Sequence, residues 1–223
     1  IAGGPCVINP MPLTDFIDVF SIGDGEEAIS RLADVLAEKK KNGMSRARTL
    51  EKIAEIDGMF VPGVSRGKVR RAVIDSLETA FFPTKVQIPN IEAVFQRAVL
   101  EIFRGCTRGC RFCQAGMIYR PVRERTPQTL KRYTEELIDN NGFDEITLSS
   151  LSTCDYPCLR ELLAEIKPIC DERRVNISLP STRVDSFEAE FVASGRLSSM
   201  TFAPEAGTQR LRDVINKNIN EED

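Results

Sequence analysis

Histidine is missing from all 223 positions. Without imidazole there is no His-ligated zinc catalysis, no Ser-His-Asp or Cys-His nucleophile, and no histidine ligand for a corrin cobalt. Long apolar runs are missing too: none approaches the roughly 20 residues that span a bilayer. The first residues do not read as a signal peptide. Neither sign of charge dominates, with 30 Lys and Arg against 33 Asp and Glu and a net charge of −3. That balance offers no basic field for DNA. Hydrophobic content of 42% and charged content of 28% are ordinary for a globular protein. These absences place the expected setting in the cytoplasm.

Cysteine is what the chain does have. Seven occur, an odd and partly clustered set that favours a reducing compartment and metal binding over disulfides. Cys106, Cys110 and Cys113 stand in the run Gly-Cys-Thr-Arg-Gly-Cys-Arg-Phe-Cys. Thiolates at C-x3-C-x2-C spacing can reach three irons of a 4Fe–4S cluster and leave the fourth without a protein ligand. Electron-transfer clusters usually take four cysteines, so an open iron suits chelation by a small molecule. The alternative is structural zinc, which needs a fourth ligand close by. Cys154, Cys158 and Cys170 have gaps of 3 and 11 residues and read as small buried hydrophobes, with a second cluster as the alternative. Cys6 reads as structural.

Three stretches are expected. Residues 1–60 read as the end of an α/β unit: a Gly/Pro loop at Gly3-Gly-Pro-Cys6, then a short strand running through Ile22-Gly-Asp-Gly into a helix. Ala28, Ile29, Leu32, Val35 and Leu36 recur at helical spacing, and a second helix covers Arg46–Ile56. Residues 61–97 read as a connector broken by Pro and Gly, with Val69–Leu77 as strand or short helix. Residues 98–223 alternate strand and helix. Strands are expected at Ala98–Phe103, Glu145–Ser149, Val175–Leu179 and Met200–Ala203. Helices are expected after Thr126-Pro127, at Cys158–Cys170, Ser186–Ala193 and Gln209–Lys217. Four βα units imply a parallel sheet whose function sits at the strands' C-terminal ends. The three cysteines, Ser149-Ser150, Thr182-Arg183-Val-Asp185 and Glu205-Ala-Gly207 all fall at such ends.

Some of these residues carry chemistry of their own. Arg120, Arg123 and Arg125 form a basic stretch beside the cysteines. A guanidinium there pairs well with a carboxylate, Arg123 being favoured; the alternative is a solvated face. Glu205 can accept hydroxyl or ammonium donors, or cap the next helix. Arg183 is a ligand contact or an ion-pair partner of Asp185 or Glu205. Ser149 and Ser150 offer hydroxyls to a ligand, or cap a helix.

The segment Glu101-Ile-Phe-Arg-Gly-Cys-Thr-Arg-Gly-Cys-Arg-Phe-Cys-Gln-Ala-Gly116 resembles the signature loop of radical S-adenosylmethionine (SAM) enzymes, with Phe112 in their aromatic slot. The nearest resemblance is to an uncharacterised radical SAM family of the cobalamin-associated type. It carries Cys106-Thr-Arg-Gly-Cys-Arg-Phe-Cys-Gln-Ala-Gly-Met117 and the tail Tyr119-Arg-Pro-Val-Arg-Glu-Arg125. The resemblance implies a partial (βα) barrel over 98–223, preceded by the C-terminal part of a flavodoxin-like, cobalamin-binding-like α/β domain over 1–60. It implies a 4Fe–4S cluster on Cys106, Cys110 and Cys113, SAM as ligand, and a flavodoxin- or ferredoxin-type electron donor. Phe112, Ser149, Ser150, Arg183, Glu205 and Arg123 become its candidate SAM contacts, and no catalytic residue is assigned.

Departures from the family pattern are local. Leu148-Ser149-Ser150 stands where Gly-Gly-Glu often holds the SAM amino group. Ala206 replaces the serine of Glu-Ser-Gly, and Phe95-Gln96 replaces a His-Asp pair. The half of the cobalamin-binding domain with the nucleotide-tail pocket is not among these residues, so the resemblance does not extend cobalamin binding to this stretch. A complete family barrel takes two further strands, and the chain reads as part of a longer protein. Two functions follow: a radical SAM enzyme core acting on an unassigned substrate, or a non-catalytic iron–sulfur-binding or RNA-associated accessory module.

Overall fold

The computed structural model describes residues 1–91, 93–94, 96–186 and 202–223. It divides into two compact units, Ile1–Asp75 and Ser76–Asp223.

In the first unit, β1 (Ala2–Gly3) lies parallel to β2 (Phe20–Ser21), and β3 (Met59–Phe60) runs antiparallel on the other side of β2. Successive residues of the middle strand serve opposite faces. Val19 joins Ala28, Leu32, Ile53 and Met59, whereas Phe20 and Ile22 pack with Val7. The helices are α1 (Glu26–Asn42) and α2 (Arg46–Ala54). Glu26 and Glu27 open α1, Lys39–Lys41 close it, and Gly43 ends it in the left-handed region at φ 64°. That charge order suits the helix dipole. Ser45 caps α2, its Oγ accepting from the Arg48 N–H at 3.3 Å.

The expected connector is shared between the units. Ala72 bridges to Gly23, and Asp24 accepts the Ile74 N–H at 3.0 Å. From Ser76 onward the chain belongs to the second unit, where Phe82 stacks on Tyr133 with centroids 4.7 Å apart. Val69–Leu77 forms neither strand nor helix.

The second unit is built on a parallel sheet in which β7 (Glu145–Ser149) lies between β4 (Ala98–Glu101) and β8 (Asn176–Ser178). Alternation sorts its two faces. Ala98, Leu100, Ile146, Leu148 and Ile177 meet α4 (Pro127–Asn141) and α5 (Leu159–Arg173) through Leu130, Leu137, Leu162 and Ile166. Each such fully buried aliphatic chain contributes roughly 2 kcal/mol. The opposite face carries Val99, Glu101, Thr147 and Ser149, in register as Val99–Thr147 and Glu101–Ser149. That polar face matches the inside of an open barrel. Thr126 caps α4 with Pro127 at its first position, as the sequence predicts, and Gly142 follows the helix in the left-handed region.

The cysteine loop has an unexpected base. Beyond β4 the chain forms a short ribbon, β5 (Phe103–Arg104) against β6 (Arg123–Glu124). Residues 105–122 close its tip and include α3 (Gln114–Ile118). The last helix, α6 (Gln209–Val214), stops three residues before the expected Lys217. Residues 187–201 lie outside the described set, and with them most of the expected helix 186–193 and half of the expected strand 200–203. Phe202 and Ala203 take no strand conformation.

Arg125 shows how the second unit holds its entry segment. Only 2% exposed, it donates to the Leu77 carbonyl and stands against both rings of the stacked Phe82–Tyr133 pair, 5.2 and 5.3 Å from their centroids. Burial pulls its guanidinium below the ordinary range. Arg125→Ala leaves a buried carbonyl unpaired and a void against the two stacked rings. We expect a loss of about 3 kcal/mol, read as a lower urea midpoint at unchanged slope.

Candidate functional site

The ribbon tip brings the three cysteines to the C-terminal end of the parallel sheet. Cys106, Cys110 and Cys113 are all partly exposed and line one cavity of about 370 Å³. Leu151 and Ser152 after β7 line it too, as do Ser181–Val184 after β8 and Ala203, Glu205, Lys217 and Ile219 from the last segment. Residues more than a hundred positions apart thus share one concavity at the strand ends, where open α/β sheets hold ligands.

Local backbone explains the loop's shape. Gly105 has φ +100°, and a Cβ there would stand 2.8 Å from the carbonyl oxygens of both Tyr119 and Pro121. Cys113 caps α3, its Sγ accepting from the Gly116 N–H at 3.3 Å. Asn216 Nδ2 donates to the Arg108 and Gly109 carbonyls at 3.2 and 3.0 Å. The Arg111 N–H reaches the Ile215 carbonyl at 2.9 Å. The segment after α6 is therefore stitched to the cysteine loop.

A charged network lies under the cavity. Arg108, between the first two cysteines, donates from both Nε and a terminal nitrogen to Asp155, the Nε bond being 2.7 Å. Its other terminal nitrogen reaches Asp185 at 3.0 Å. Arg183 grips the same Asp185 with two bonds of 2.9 Å and donates to the Lys217 carbonyl at 2.8 Å. Burial pushes the Asp155 and Asp185 carboxyls up, but the bonds from Arg108 and Arg183 outweigh it and hold both below the ordinary 3.8. Both stay ionised at neutral pH.

The expected site residues divide. Phe112, Arg183 and Glu205 line the cavity with the cysteines. Arg183 takes the ion-pair role with Asp185 while doing so. Glu205 sits at φ +68°, its carboxylate 3.5 Å from Lys217 Nζ. Ser149 and Ser150 line a neighbouring cavity of about 240 Å³ with Glu101, Arg104 and Tyr119. Arg123 is a correction. It is 7% exposed and donates to the Pro121 and Tyr119 carbonyls at 3.2 and 3.3 Å, bracing the loop's return rather than facing the cavity. Phe95, one of the two departures at 95–96, lies outside the described residues. Lys217, 9% exposed, was not expected here. Its ammonium stands 5.9 Å from the Phe112 ring centroid, a cation–π contact.

The donor set fits a cluster: three cysteines line one cavity, where a cubane could take one thiolate at each of three irons, whereas structural zinc needs a fourth ligand. Cys170 plays no part: it is 1% exposed within the helix core, and burial pushes its thiol up to about 11.

Comparison with known proteins shows the family. The family described as "Radical SAM superfamily" matches residues 100–223, and "Radical SAM proteins, N-terminal" matches residues 1–62. An uncharacterized protein of Methanocaldococcus jannaschii is 31% identical over all of this chain and 46% of its own length. The anaerobic magnesium-protoporphyrin IX monomethyl ester cyclase of Cereibacter sphaeroides is 24% identical over 91% of this chain and 34% of its own length. Among solved structures, the radical S-adenosylmethionine methyltransferase TsrM from Kitasatospora setae, with cobalamin and a [4Fe-4S] cluster bound, superposes with a TM-score of 0.59 at 18% identity. The match covers 86% of this chain and 39% of TsrM. The chain spans less than half the length of these relatives. No helix among the described residues is long and apolar enough to cross a membrane.

Proposed function

Because the chain belongs to the radical SAM superfamily, whose match spans more than half of it, we propose that residues 98–223 form the catalytic core of a radical SAM enzyme. When bound there, a 4Fe–4S cluster supplies one electron that cleaves SAM to methionine and a 5′-deoxyadenosyl radical. The residues present define what the chain itself contributes. Cys106, Cys110 and Cys113 offer the thiolates and leave one iron for the amino and carboxylate groups of SAM. Leu151, Val184 and Ile219 give the cavity an apolar wall that limits water. Glu205 and Lys217 set one carboxylate and one ammonium at its edge.

A single observation carries this reading. All three cysteines, brought by one ribbon tip, line the same cavity as the loops after β7 and β8. A reduced flavodoxin- or ferredoxin-type protein is the electron source. One relative is a methyltransferase and another a cyclase. The two names differ in reaction, so likeness at this level leaves the substrate open. Cobalamin is present in the TsrM structure; this chain has no histidine to offer its cobalt.

The test is anaerobic reconstitution with iron and sulfide, reduction, and electron paramagnetic resonance with and without SAM. We expect a reduced-cluster signal that SAM perturbs, with 5′-deoxyadenosine formed in the same tube. A signal indifferent to SAM, without deoxyadenosine, would turn the assignment to an accessory iron–sulfur module.

A further inference from the structure

We infer that Arg108 is a positioning residue that holds the cysteine loop at the spacing a cluster requires; this rests on reading the three cysteines as cluster ligands. Arg108 stands two residues from both Cys106 and Cys110. Its fork takes Asp155, in the turn Thr153–Asp155 after β7, and Asp185, in the turn Val184–Ser186 after β8. One side chain thereby ties the loop carrying the thiolates to two other strand ends. Its backbone is pinned as well, because Asn216 holds the carbonyls of Arg108 and Gly109.

Geometry and charge both require arginine. Lysine has the charge but not the planar fork that serves two carboxylates at once. Arg108 and Arg183 together balance Asp155 and Asp185. Removing Arg108 leaves one of these two carboxylates uncompensated and frees the loop between Cys106 and Cys110 from both strand ends. Partners outside the first ligand set typically govern metal affinity by 10–100-fold.

The experiment compares wild type, R108K, R108A and D155N, each as the full chain, reconstituted anaerobically. Cluster loss to excess chelator is followed by visible absorbance, and melting of the iron-free chain by far-ultraviolet circular dichroism. We expect R108K to melt like wild type yet lose its cluster roughly tenfold faster. R108A should lose it faster still, and D155N should fall between wild type and R108A. Variants that shed the cluster at the wild-type rate overturn the positioning role. So do variants whose only change is a lower melting temperature without iron, since that marks a general structural role. A wild-type chain that takes up no cluster overturns the radical SAM reading together with this one.

Discussion

Cys110→Ser, or the same change at Cys106 or Cys113, reduces 5′-deoxyadenosine formation to background and costs more cluster than any outer-residue change. In the proposed ligation each thiolate would serve a different iron, so no neighbour would replace a lost one. The penalty should exceed the ~10–100-fold typical of outer partners. Serine isolates ligation from folding. At position 113 the hydroxyl can still cap α3 as the thiol does toward the Gly116 N–H, because serine is itself a good N-cap. The three positions are only partly buried, so iron-free variants should melt like wild type. Cys158→Ser supplies the contrast, since Cys158 packs at the edge of the helix core and is not among the residues lining the cavity. It should keep both cluster and cleavage. Iron per chain and deoxyadenosine per cluster, measured side by side, decide the matter. A Cys110→Ser chain with wild-type cleavage would end the assignment.

How much of this was legible in the sequence depends on the range of the interaction. Helix spans came through well, because capping and periodicity are local. Thr126-Pro127 opens α4 as expected, and Glu145–Ser149 is a strand with the predicted bounds. The cysteine spacing was legible because the ligands sit within eight residues. The ribbon beneath the loop was not, since β5 and β6 are two residues each and pair across the whole cysteine loop. Their short stretches leave no period to detect. Arg123 read as a ligand contact because a basic stretch beside cysteines looks the same whether its guanidinium faces a cavity or braces carbonyls. Arg108 reaches residues 47 and 77 positions away, and nothing in its neighbourhood marks it apart from the other arginines. Lys217 was read as the end of a helix. The backbone instead leaves the helix after Val214 and turns through Asn216 at φ 56°, which delivers the ammonium to Phe112.

Gly105→Ala carries a large expected cost in stability, and it separates loop geometry from ligand chemistry. At φ +100° a side chain is strained whatever the space around it. Space is lacking as well. The new methyl would stand 2.8 Å from the Tyr119 and Pro121 oxygens and 3.0 Å from the Val122 Cα. All three are backbone atoms on the returning arm of the loop, so no rotamer change relieves the contact. The arm must shift, carrying with it the carbonyls that Arg123 holds. We expect a loss of roughly 2–3 kcal/mol, equivalent to a melting temperature lower by about 5–10 °C, together with weaker cluster retention. Gly109→Ala is the control within the same loop. Its φ is +70°, and its nearest neighbours are the side-chain ends of Asn216 and Arg120, at 3.4 and 3.6 Å. Those ends can yield, so the loss should stay near 1 kcal/mol. Thermal melts of the two iron-free variants test the difference. Equal destabilisation would mean that left-handed backbone alone sets the cost, and that the close approach under Gly105 does not shape the loop that presents the cysteines.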